Sequence, residues 1–93
     1  MKIRQLKTKF GNQANNQYVT EENRVSTFTS YKSKIAVFDW NTGKLEVFKD
    51  WDYSKTTLFY FKQFINEETS FTYGNKAQFE KLMKEHKDIT EVL

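Results

Sequence analysis

At Ser54 the spacing of apolar residues changes, and this change of period constrains the fold more than any other feature of the chain. Upstream, Val25, Thr27 and Thr29 alternate with Ser26, Phe28 and Ser30, the period of two expected of a strand that buries one face. Downstream, Leu58, Phe61, Phe64 and Ile65 recur at three- and four-residue intervals, the stripe of an amphipathic helix. Strands therefore come first and helices follow. That order predicts an α+β fold: an antiparallel sheet of three to five strands, followed by two C-terminal helices packed on one face.

The individual elements follow from the same spacing. Lys34 to Asp39 and Leu45 to Phe48 are apolar runs around Trp40-Asn41-Thr42-Gly43-Lys44, where Asn41 initiates a turn and Gly43 supplies a positive φ. They read as a hairpin that brings Phe38 and Phe48 close across the pair. Near the N-terminus, Ile3, Leu6 and Phe10 leave helix and strand open, with strand preferred. Gly11 to Asn16 reads as a loop, and Tyr18 to Thr20 as a second strand that Glu21-Glu22-Asn23 interrupts. The first helix is expected over about residues 55–66, capped by Ser54 or Asp52, with an extended connection after it. The second is expected over about residues 76–87, with Asn75 as its N-cap and Phe79, Leu82, Met83 and His86 as its stripe. The tail to Leu93 is too short to assign.

A chain of 93 residues has room for one core, so residues 1–93 are read as a single domain, with 1–16 a basic arm and loop whose order the sequence leaves open. Its mean hydropathy of -0.81 is low. Nine Phe, five Tyr and two Trp compensate, because each buried ring removes roughly 150–250 Å² from water. No Cys is present, which excludes disulfides, zinc-thiolate sites and thiol nucleophiles. No run approaches the roughly 18 apolar residues of a membrane span, and Met1 to Lys7 lacks the apolar run of a secretion signal. The protein is expected to stay in the cytoplasm of the cell that makes it.

Catalytic groups are sparse. His86 is the only histidine and lies on the stripe of the second helix, where the helix C-terminus favours an imidazolium. The carboxylates Glu21, Glu22, Asp39, Glu46, Asp50 and Asp52 do not have the spacing of a calcium loop, and three separated glycines make neither a phosphate loop nor a nucleophile elbow. Asp50 and Asp52 would be the best residues of a small hydrolase or nuclease, with His86, but no motif gathers them. The expectation is a protein without enzymatic activity, cofactor or metal.

Binding chemistry has more candidates. Asp50-Trp51-Asp52-Tyr53-Ser54-Lys55-Thr56-Thr57 sets two aromatics, two acids and three hydroxyls at the strand-to-helix junction. It reads either as a packed junction that buries both rings or as a recognition edge built on Trp51 and Tyr53. The net charge of +3 lies wholly in the N-terminal segment, where Lys2, Arg4, Lys7 and Lys9 meet no acid. With Tyr31, Lys32 and Lys34, and with Arg24 and Tyr18 beside them, these residues would suit DNA or RNA, through phosphate contacts and base stacking. A solvated basic strand has the same composition.

The block Phe28-Thr29-Ser30-Tyr31-Lys32-Ser33-Lys34-Ile35-Ala36, with Trp51-Asp52-Tyr53-Ser54-Lys55-Thr56-Thr57 and Gln63-Phe64-Ile65, resembles a family of small proteins encoded by phages and prophages of Gram-positive bacteria. The resemblance covers roughly residues 25–66. It implies a bacterial host cytoplasm and an accessory role in infection or defence, with no catalytic residues to carry over. Phage proteins of this size often inhibit host machinery stoichiometrically, anti-CRISPR proteins among them. Many anti-CRISPR proteins imitate DNA with an acidic surface, and a pI of ≈ 9.1 departs from that pattern. An inhibitor of this composition is expected to grip a host protein or a protein–nucleic-acid complex. Its oligomeric state is not written in the sequence.

Overall fold

The change of period at Ser54 separates sheet from helix in the computed structural model, which describes residues 1–92. Five strands precede it: β1 (Lys2–Lys7), β2 (Gln13–Glu22), β3 (Val25–Ser30), β4 (Ser33–Asp39) and β5 (Lys44–Phe48). A 3-10 turn (Lys49–Asp52) leads into α1 (Lys55–Glu68) and α2 (Lys76–Glu85), and the chain closes on β6 (Ile89–Val92). The six strands lie in sequence order in one sheet, β1-β2-β3-β4-β5-β6.

The fold is α+β as expected, but the sheet is larger than three to five strands and is not wholly antiparallel. β6 pairs with β5 in parallel, Leu45 opposite Ile89 and Phe48 opposite Val92. The 3-10 turn and both helices form the long crossover that a parallel pair requires. The loop expected over residues 11–16 is also shorter, because β2 already begins at Gln13 and Asn16 takes a φ of 63° inside it. Glu21 and Glu22 stay in the strand, and the chain turns at Asn23-Arg24. Residues 2–7 of the basic arm are paired with β2.

Alternation decides what the sheet buries. Leu6, Val19, Phe28, Phe38, Leu45 and Val47 form one core with Phe61, Phe64 and Ile65 of α1 and Phe79 of α2. Phe64 stacks on Phe28 at 5.7 Å, and Phe79 meets Phe61 edge-on at 4.9 Å. Fully burying such a ring contributes about 1.5–3 kcal/mol. Phe38 and Phe48 do not meet as expected: Phe38 opposes Leu45, so Phe48 falls on the other side of the sheet. The rings beside Phe38 are Trp40 at 4.8 Å and Phe71 at 6.1 Å. Gly43, at φ 75°, makes the β4–β5 turn as its lack of Cβ allows.

Both helices begin on caps. Ser54 Oγ accepts the Thr57 amide at 3.1 Å. Asn75 and Gln78 form a reciprocal capping box on α2. His86 ends α2 and meets Phe71 edge-on at 4.8 Å. No helix among the described residues is long and apolar enough to cross a membrane.

Candidate functional site

The turn between β3 and β4 is unusual. Ser30 and Ser33 are paired, so Tyr31 and Lys32 form a two-residue connection, and both take positive φ, 49° and 71°. This is the φ pattern of a type I′ turn, which Asn-Gly fills without strain. A side chain in the left-handed region costs of order 1–3 kcal/mol. The neighbouring turn at Asn23-Arg24 has the same pattern but begins with Asn, which tolerates it. At Tyr31 a compensating contact is made by its backbone amide, which donates to the Asn16 carbonyl at 2.9 Å.

This turn faces the strand-to-helix junction, and together they enclose a cavity of ≈ 590 Å³. Ser30, Tyr31, Ser33 and Ile35 line it from the hairpin; Asp50, Tyr53, Ser54, Thr56 and Thr57 line it from the junction. The two sequence blocks, far apart along the chain, thus form the two walls of one cleft. At its base a chain of hydroxyls ties sheet to helix: Ser54 Oγ donates to Thr57 Oγ1 at 3.2 Å, and Thr57 Oγ1 lies 3.4 Å from Ser30 Oγ. Tyr31 (56% exposed) and Tyr53 (79% exposed) flank the opening.

Trp51 does not belong to this opening. It is 5% exposed and packs on Phe61 at 5.1 Å and Phe79 at 5.3 Å, so of the two aromatics read as a recognition edge only Tyr53 faces solvent. The 3-10 turn explains the split: a strand would set Trp51 and Tyr53, two residues apart, on one face, whereas a turn of about three residues per revolution separates them. Asp52, next to Trp51, pairs with Lys76 at 3.1 Å. The three residues of a hypothetical hydrolytic site are thus differently engaged, with Asp50 in the cleft, Asp52 on Lys76 and His86 at the end of α2.

A second, shallower groove of ≈ 490 Å³ lies beyond Thr56, which lines both. Lys9 and Phe10 supply it from the β1–β2 connection, Lys55 and Phe59 from α1. Phe10 is 79% exposed, with Lys9 Nζ 5.2 Å from its ring centroid. Sequence reading missed Phe10 and Phe59, since an aromatic in a chain this polar reads first as core.

The remaining basic candidates lie on β1 and β4. Arg4 pairs with Glu68. Lys7 is held through its backbone by Gln63, and Lys34 Nζ sits 5.4 Å from the Phe48 ring. Lys2 is exposed on β1, which is the edge of the sheet, where lysines discourage pairing with other chains. Of the basic candidates, Lys9 lines the groove, and Lys32 sits beside Tyr31 on the β3–β4 turn. Outside the cleft, burial pushes the Tyr73 phenol well above its ordinary value.

With the cleft and its groove described, the comparison with known families is informative: a family described as of unknown function, DUF8033, matches residues 1–81. The chain belongs to that family. The matched span includes both walls of the cleft, the groove and β1, and so extends beyond residues 25–66. No curated protein matches the chain. No solved structure matches it either.

Proposed function

We propose that this DUF8033 chain is a non-catalytic binding protein whose contact face is the cleft between the β3–β4 turn and the N-terminal end of α1. The observation that carries the reading is the convergence of the two blocks on one cavity with Tyr31 and Tyr53 exposed at its mouth. Neither ring belongs to the core, and exposed tyrosines beside a cavity are the anchors that protein interfaces favour. The strained Tyr31-Lys32 turn adds support, since strain held by surrounding structure clusters at functional sites. The partner class we propose is a bacterial host protein, or a protein–nucleic-acid complex such as a CRISPR effector, blocked or redirected by stoichiometric contact during phage infection.

The test is retention of a host partner by the wild-type chain and by a Tyr31→Ala, Tyr53→Ala double variant at about 150 mM salt, where specific interfaces persist. The double variant is expected to keep its fold and lose the partner. Undiminished retention counts against this face.

The second reading is a nucleic-acid-binding domain, favoured by the groove in which Lys9 and Lys55 accompany Phe10 and Phe59. Cations that follow a backbone and rings that stack on bases are the chemistry of single-strand binding. It predicts affinity that falls steeply with salt, and absence of a gel shift at low salt eliminates it.

A further inference from the structure

The lining of the cleft carries a single charge. Asp50 is the one charged residue among its lining side chains; the other polar ones are hydroxyls and phenols. The ion pairs among the described residues are Arg4 with Glu68 and Lys76 with Asp52, so Asp50 lines the cavity without an ion-pair partner. Asp50 is only partly exposed, as is Ser54, while Ser30 and Thr57 are buried at the base. Two tyrosines, whose ring faces attract cations, stand at the mouth.

We propose that this cleft is a receptor for a guanidinium group, the side chain of an arginine on the protein partner. A carboxylate accepts the planar donor fork of arginine with two parallel hydrogen bonds, hydroxyl oxygens accept its remaining N–H groups, and a tyrosine ring stacks on its plane. Lysine offers a single point charge and fits such an arrangement less well. The basic groove beyond Thr56 makes the assignment directional. Lys9 and Lys55 lie past Thr56 on the groove side, so a cation is drawn to the Asp50 end and an anion to the other. An acidic or neutral anchor at the Asp50 end would leave that carboxylate unpaired.

The inference rests on the cleft being the contact face, and its test is independent of any partner. The probes are Nα-acetyl-arginine amide, its uncharged isostere Nα-acetyl-citrulline amide, and Nα-acetyl-glutamate amide, titrated into the full chain while backbone amide resonances are followed. The arginine probe is expected to shift Ser30 to Ile35 and Asp50 to Thr57 saturably, with a Kd of about 1 mM given its size. Asp50→Asn is expected to weaken it at least about tenfold, the loss of a charge-assisted hydrogen bond, without moving the melting temperature. Absence of saturable shifts overturns the inference, as does citrulline binding as tightly or an unaffected Asp50→Asn variant. Each of those results leaves the contact face to be judged by the Tyr31 and Tyr53 variants, so the two failures are distinct.

Discussion

Gln63 of α1 and Lys7 at the end of β1 exchange two hydrogen bonds: the Lys7 amide donates to Gln63 Oε1 at 2.8 Å, and Gln63 Nε2 donates to the Lys7 carbonyl at 2.7 Å. The side-chain amide thus pairs with the backbone as a neighbouring strand would. β1 is an edge strand, and an edge leaves a row of backbone groups without strand partners. The pair satisfies two of them and ties the start of the chain to α1, which presents Phe59 to the groove that Phe10 lines from just past Lys7.

Gln63→Ala is therefore expected to lower stability by about 1–2 kcal/mol, two modest net hydrogen bonds, and to accelerate hydrogen exchange at Lys7. Gln63→Glu keeps an acceptor for the Lys7 amide but loses the donor to its carbonyl, and should fall between the two. Chemical denaturation with exchange measured at Lys7 checks both. Unchanged exchange in Gln63→Ala removes the lock.

The helices and the β4–β5 hairpin were legible in the sequence because their signals are local. Ser54 and Asn75 are caps, Gly43 takes the positive φ of its turn, and the stripes Phe61-Phe64-Ile65 and Phe79 bury as their spacing predicts. β6 was not legible, since Ile89–Val92 is short and its pairing with β5 depends on where α2 delivers the chain. The start of β2 was hidden by Asn15 and Asn16, whose composition signals a loop although the strand runs through them. Of the site, the two blocks and Tyr53 were visible. Their meeting was not, because it requires the register that sets Ser30 opposite Ser33 and the helix packing that brings Thr57 to Ser30.

Gln17 lies directly across β2–β3 from Ser30, is 1% exposed, and has no hydrogen-bond partner for either end of its amide among the described residues. A buried polar group without a partner costs about 1–3 kcal/mol. Gln17→Leu, close in volume and without polar atoms, is expected to raise stability by about 1 kcal/mol or more in a denaturant titration. A fall instead counts against an uncompensated amide at this position.

Trp51 and Tyr53 are forecast to behave oppositely. Trp51→Ala opens a cavity against Phe61 and Phe79 and is expected to cost about 3–5 kcal/mol, a large share of the stability of a small domain. Tyr53→Ala should leave the melting temperature within a few degrees, as surface substitutions do. Thermal unfolding of the two variants side by side decides this, and a stable Trp51→Ala protein would return Trp51 to the recognition surface.

Tyr73 sets an alkaline limit. Burial raises its phenol above the ordinary value near 10, so above that pH the unfolded chain gives up a proton that the folded chain retains. The unfolded state then binds fewer protons, and stability falls as pH rises; below pH 10 the contribution is constant. Tyr73→Phe removes this slope. Unfolding free energies at pH 8 and 11 for both proteins test it, and an identical decline in the variant excludes Tyr73 as the cause.

The Tyr31-Lys32 turn allows stability and recognition to be separated. Replacing the pair with Asn-Gly supplies the residues that a type I′ turn prefers and relieves two left-handed side-chain conformations. The double variant is expected to gain about 1–2 kcal/mol, within the range of single stabilising devices. It also removes one of the two tyrosines at the cleft, so partner binding and the arginine-probe shifts should weaken even as the melting temperature rises. If the Asn-Gly variant is more stable and binds undiminished, Tyr31 is no part of the site and the contact face reduces to Tyr53 and Asp50.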